Sequence, residues 1–301
     1  MKTNFSNDNP QSSKLLFTHL ELLGVITIWA GTFVATKIVL TEITPAFSAL
    51  LRYIIASLIL LVLNYRNRER VDRADYRSFF LLGLTGVTLY YLLQHFGIKH
   101  TNATDAAILI SLSPIFIGLI SWFLLKERLK LITGIGLLIA LTGAVLVISN
   151  GKSIWDQPGG RVQGDLLILL TAVSWAIYSV YGKKLLSKYH PKTLITYTTL
   201  IGTVLLIPFS LPELSRVDLR HLTWGGWLNL MYLGGAASVY GYLAWYRALK
   251  KLPAITVGSY LYFRPLLTGI IAVIVLQETL SLFILAGGSL ILFGTYLAVK
   301  P

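Results

Sequence analysis

Arg264 is the residue of this chain best able to grip a charged solute. It lies within an apolar run from Ala254 to Leu276, with Tyr260 four residues before it and Thr268 four after. That spacing puts the three on one helix face. A planar guanidinium makes two parallel hydrogen bonds to a carboxylate or a phosphate. The competing reading is an arginine satisfied by carbonyls and tyrosine hydroxyls, tying helices together. A second face carries Thr88, Tyr91 and His95 with Gln94 beside it, and Tyr242 and Tyr246 repeat the pattern later. Histidine titrates near ~6.5, so His95 could relay protons or simply hydrogen-bond as a neutral ring. Trp29 with Thr32 and Thr36, and Trp175 with Tyr178 and Gly182, follow i, i+3, i+7. They read either as helix packing or as a stacking wall for a planar solute.

The elements that must hold these residues are membrane spans. About 20 apolar residues cross a hydrocarbon core as a helix. Ten such runs are present, at roughly 19–40, 46–64, 78–97, 104–125, 131–149, 164–187, 192–211, 225–249, 254–276 and 282–299. An arginine inside one of them belongs against protein, water or a ligand rather than lipid, because the charge is costly in hydrocarbon. Pro265 follows Arg264 and removes a backbone donor, and Pro114 takes the same place after Ser113, so both are candidate hinges. Arg52 and Lys37 are placed toward one membrane face near Glu42 and Asp105. Pairing with those acids or snorkelling to the interface is the expected, structural role of both; guarding the outer mouth for anions is the alternative. Glu127 and Glu278 each end a span and are read as structural caps or loop ion pairs.

The chain is written twice. At an offset of 146, Trp29, Lys37 and Pro45 match Trp175, Lys183 and Pro191. At an offset of 151, Tyr91, Pro114, Glu127 and Gly143 match Tyr242, Pro265, Glu278 and Gly294. Five spans per copy is odd, so the second copy enters the membrane inverted. Inverted repeats with a site between the halves are a mark of secondary transporters.

Composition agrees. Of 301 residues, 55% are hydrophobic and 13% charged, half the charged fraction of an ordinary soluble chain. With no cysteine, there is no disulfide or thiolate chemistry. The net charge of +13 would suggest nucleic acid in a soluble domain, but here eighteen of the 26 Lys and Arg fall in the termini, loops and adjoining span ends of one face, against five at the opposite face. That asymmetry puts both termini in the cytoplasm. There is no HExxH, GxSxG or Walker loop, so neither ATP hydrolysis nor intramembrane hydrolysis has a supporting motif.

The segments WAGTFVATK and WAIYSVYGK, the Arg52 of LLRYIIA, and SPIFIGLISWFLLKERL with RPLLTGIIAVIVLQETL resemble the EamA-type members of the drug/metabolite transporter superfamily. The resemblance covers residues 19–299. It implies ten helices in two inverted halves around a central cavity with alternating access. Bacterial members mostly export amino acids and other small metabolites, while relatives carry nucleotide-linked or phosphorylated sugars. Arg264 departs from the repeat, since its counterpart is Ser113.

The expectation is therefore an all-α integral membrane protein with ten transmembrane helices as two inverted five-helix repeats. A cytoplasmic tail (1–18) precedes the first repeat (19–149), an external linker (150–163) and the second repeat (164–299). The expected activity is secondary transport of small metabolites, with export of amino acids or related anions and zwitterions first and sugar phosphates second. A lipid flippase or intramembrane enzyme is the rival from another class. The expected binding set is Trp29, Tyr91, Gln94, His95, Ser113, Trp175, Tyr178, Tyr242, Tyr246, Tyr260 and Arg264. Proton coupling is left open, sodium is disfavoured for want of acids at span centres, and no cofactor, metal or nucleic acid is expected. The chain is placed in the plasma (inner) membrane as a monomer or homodimer.

Overall fold

The computed structural model describes residues 10–65, 69–113, 115–117, 119–120, 131–152, 160–251 and 260–299. Ten helical elements follow one another: α1 (Pro10–Val39), α2 (Pro45–Asn64), α3 (Arg73–His100), α4 (Ala103–Ile117), α5 (Leu131–Ser149), α6 (Arg161–Leu186), α7 (Pro191–Leu214), α8 (224–251), α9 (Phe263–Leu276) and α10 (Leu282–Val299). Among the described residues there is no strand. Five of the helices (α1, α2, α3, α6 and α7) are long and apolar enough to cross a membrane along their described residues. Leucines and valines such as Val62, Leu138, Val204 and Leu266 stand exposed around the outside, as a lipid-facing surface requires.

The two halves interlock. The first helix of each half packs on the third and fourth of the other: α1 against α8 and α9, and α6 against α3 and α4. The second helices cross over likewise, α2 against α8 and α7 against α3. α5 and α10 pack on each other through Gly143 and Gly287. A methyl at either position would come within 2.6–2.7 Å of the other's carbonyl oxygen, so only glycine permits this approach.

We call the end bearing residues 40–44, 101–102, 150–152, 160 and 215–223 the linker end, and the other the basic end. At the linker end, carboxylates of loops and of the end of α7 supply acceptors to the donors at helix starts. Glu278 accepts from the Ala103 N–H (2.7 Å) and from the Thr104 N–H and hydroxyl (3.2 and 2.8 Å), capping α4. Glu42 accepts from the Thr223 N–H and hydroxyl before α8, and Glu213 from the Phe47 N–H in α2. Glu278 is thus a cap across the two halves, while its counterpart Glu127 lies outside the described residues. At the basic end, Lys188 and the Tyr189 hydroxyl both hold Asp75, at 3.1 and 2.8 Å. The hydrogen bond to Asp75 raises the Lys188 ammonium above its ordinary range.

Four interruptions of regular helix come in repeat-related pairs. α3 and α8 each contain a π-helical stretch, Leu84–Leu89 and Tyr232–Gly241. α4 breaks at Ser111 and Leu112, and a 3₁₀ turn at Tyr260–Tyr262 precedes α9. Pro265 therefore stands in the first turn of α9, where its missing donor is tolerated, rather than in mid-helix. Pro114 lies outside the described residues.

Candidate functional site

The interruptions converge on a chamber between the halves. α1 contributes Trp29, Thr32 and Phe33; α2, Arg52; α3, Tyr90, Tyr91 and Gln94; the break in α4, Ile110, Ser111 and Ser113. The second half adds Trp175 of α6, Tyr242 of α8, and Leu261 and Arg264 at the start of α9. Arg52 lies seven residues into α2, about 10 Å along it from the linker end. The cavity volume is about 50 Å³. That admits a water or two, far below the ~300 Å³ of a typical ligand pocket, so this conformation is a contracted one.

π stretches displace carbonyls from the regular ladder, and each stretch here is used by the first helix of the other half. The Trp29 indole donates to the Ala237 carbonyl (3.1 Å), and the Ser174 hydroxyl donates to the Thr85 carbonyl (2.7 Å). Gly241 clears room for the Trp29 ring and Gly86 for the Tyr178 ring; a methyl at either would collide with the aromatic. Trp29 packs at 5.4 Å from Tyr242, and Trp175 at 5.5 Å from Tyr90 and 6.1 Å from Tyr242. The two tryptophans thus form aromatic walls contributed by opposite halves.

Arg52 and Arg264 both face this chamber. Arg52 is only 2% exposed, donates from Nε to the Ser238 hydroxyl (2.9 Å) and from Nη2 to the Tyr91 hydroxyl (3.3 Å), and lies 4.3 Å from the Tyr91 ring centroid. Its Nη1 is buried without a hydrogen-bond partner. The expected pairing of Arg52 with Glu42 or Asp105 does not occur. Glu42 serves Thr223 and Asp105 binds Arg161, leaving Arg52 to the chamber. Arg264 lies over the Phe33 ring at 5.0 Å and near the Tyr90 hydroxyl. No carboxylate is among the lining residues.

Of the expected binding residues, Trp29, Tyr91, Gln94, Ser113, Trp175, Tyr242 and Arg264 come together on the chamber. Tyr178 and Tyr246 do not line it; their hydroxyls meet at 3.5 Å, where a floor toward the basic end would lie. Tyr260 bonds instead to His19 Nδ1 (2.7 Å), and Thr268 donates to the Ala30 carbonyl (3.0 Å), so the Tyr260–Arg264–Thr268 stripe is divided among three partners. The cause is the 3₁₀ turn, which takes Tyr260 off the face an unbroken helix would give it. His95 is fully buried behind Tyr91, with neither ring nitrogen hydrogen-bonded. Arg52 and Tyr90 were not assigned to the wall by sequence reasoning. The doubled tyrosine just after a glycine-containing stretch was the available signal for Tyr90, since a π turn lets both neighbours reach the core.

A family model described as the EamA-like transporter family matches residues 16–149 and again 162–300. An uncharacterized transporter of Archaeoglobus fulgidus is 34% identical over 284 residues, covering 93% of this chain and 96% of its own. The uncharacterized transporter YyaM of Bacillus subtilis is 28% identical, covering 95% and 94%. A solved crystal structure matches with a TM-score of 0.65 at 20% identity, over 93% of this chain and 97% of that one, a likeness of fold alone.

Proposed function

Since this chain belongs to the EamA-like transporter family, we propose that it is a secondary carrier of small organic anions, moved by alternating rocking of its inverted halves. One observation supports the substrate class. Two guanidiniums share an aromatic chamber with no carboxylate among its described lining residues. An anionic group would complete the fork of Arg52, whose Nη1 is the unsatisfied donor, and bridge toward Arg264. The ammonium of a zwitterion would find hydroxyls and ring faces but no opposite charge. Carboxylates and phosphate esters therefore rank ahead of zwitterionic amino acids, which the sequence alone had put first.

The contracted chamber must swell to admit such a solute. The break in α4 at Ser111 and Leu112, the 3₁₀ turn before α9 and the π stretches of α3 and α8 are the segments able to yield, because their hydrogen-bond ladders are already interrupted. Pro265 and Pro114 are assigned there as hinges. The excess of basic residues at one end supports the reading that this end, with both termini, faces the cytoplasm of an inner-membrane protein and the linker end faces outside. Export is assigned on the family resemblance.

Thermal unfolding of purified protein with succinate, glycerol 3-phosphate, leucine or putrescine tests the substrate class. The anions should raise the melting temperature, and Arg264→Ala should abolish the shift while leaving the unliganded melt near its original value. Stabilisation by leucine or putrescine alone would overturn the reading.

A further inference from the structure

A second buried polar site lies at the linker end, and the substrate chamber does not use it. Asp105 of α4 and Asp165 of α6 are both 0% exposed, one from each half. One guanidinium stands between them: Arg161 reaches Asp105 Oδ2 at 2.8 Å and Asp165 Oδ2 at 3.8 Å. Asp165 Oδ1 accepts from the Thr101 hydroxyl, and Asp105 Oδ2 from the Asn102 amide (3.4 Å). Asp105 Oδ1 and Asp165 Oδ2 have no hydrogen-bond partner.

Two further charges face the pair, the Lys37 ammonium and the Glu278 carboxylate, and both have hydrogen-bond partners of their own. Lys37 of α1 donates to the Ile98 and Thr101 carbonyls. Glu278, before α10, is held by the start of α4. α5 offers only the Val147 carbonyl, which Arg161 also meets (3.3 Å). His100 of α3 is exposed beside Gly160 and Gly164. Three carboxylates, Asp105, Asp165 and Glu278, thus face two cations, Arg161 and Lys37, and Asp105 and Asp165 each keep an oxygen without a hydrogen-bond partner. Burial disfavours the one uncompensated negative charge, whereas a proton on either aspartate balances the cluster and supplies a donor.

We propose that Asp105 and Asp165 form a proton-binding site that closes the linker end. The site is complete only when the halves meet there, because Asp105 sits on the first half and Arg161 with Asp165 on the second. Closure takes one proton from the linker-end water onto the pair, and opening admits water, ionises both carboxylates and returns it. This rests on the alternating-access reading, since it requires the halves to part, but not on any substrate.

The chain contains no cysteine, so spin labels can be placed at will. Nitroxides on Thr41→Cys and Gln163→Cys, both exposed at the linker end and one on each half, report the opening as an inter-label distance. Raising the pH from about 5 to about 8 should add a longer-distance population. Asp105→Asn and Asp165→Asn, which imitate the protonated acid, should each hold the short distance across that range. His100→Gln should leave the titration unchanged. A distance distribution identical at both pH values in the otherwise unaltered chain would overturn the site, and this comparison needs neither Asn variant to fold. So would a longer population that grows as pH falls, a normal titration in both Asn variants, or loss of the titration in His100→Gln. Failure to bind any anion would refute the substrate class and leave this result standing.

Discussion

Replacing Arg161 by methionine removes the one guanidinium that two buried carboxylates share. At an effective dielectric of ~20 its attraction to Asp105 at 2.8 Å is on the order of 6 kcal/mol, and to Asp165 at 3.8 Å on the order of 4. Most of that is offset by desolvation, and the usual net loss on removing one partner of a buried pair is about 3–5 kcal/mol. Arg161→Met should therefore destabilise by that amount at about pH 8, where the buried carboxylates must either stay charged without their cation or take protons against the bulk pH. The loss should shrink toward about pH 5, because protons then neutralise what arginine no longer compensates. The triple variant Arg161→Met/Asp105→Leu/Asp165→Leu, which removes all three charges, should return to within about 1–2 kcal/mol of the parent. Equilibrium unfolding in mixed micelles, followed by helical circular dichroism, measures all three. A single variant within about 1 kcal/mol of the parent at about pH 8 would refute the reasoning, since the linker end would then owe nothing to this network.

Other perturbations test neighbouring parts of the structure. Gly287→Ala presses a methyl against the Gly143 carbonyl and should cost about 1–3 kcal/mol, while Gly134→Ala, with nothing within 4 Å, should be neutral or gain up to about 1; the same unfolding assay compares them. Glu278→Ala strips three hydrogen bonds from the start of α4 and should cost about 1–2 kcal/mol, with Glu278→Gln recovering part of it. Arg52→Lys keeps the charge but loses the fork that spans Ser238 and Tyr91. Anion-induced thermal stabilisation should fall at least tenfold in apparent affinity, about 1.4 kcal/mol, and a normal titration would return Arg52 to a packing role.

Ten helices and a doubled plan were legible because apolar run length and offset-matched Trp, Lys, Pro and Gly survive any local irregularity. Arg264, Trp29 and Trp175 were legible as chamber residues because polar or bulky groups deep in a span have few other places to go. Arg52 was misjudged since sequence proximity suggested Glu42 and Asp105 as partners, whereas the helices bring Thr223 and Arg161 to those acids. The π stretches and helix breaks have no periodic signature, so a 3.6-residue wheel missed Tyr90 and kept Tyr260 with Arg264. Asp165 escaped notice, and Asp105 was given the wrong partner, because a search for acids at span centres passes over acids buried near span ends.

The claim on which most depends is that Arg52 and Arg264 jointly receive an anion that crosses the bilayer. Uptake of labelled succinate and glycerol 3-phosphate into proteoliposomes, beside labelled leucine and putrescine, tests it most directly. Flux of an anion that falls to the protein-free level in both Arg52→Ala and Arg264→Ala is the predicted result. Flux confined to leucine or putrescine, or anion flux untouched by either substitution, would contradict it.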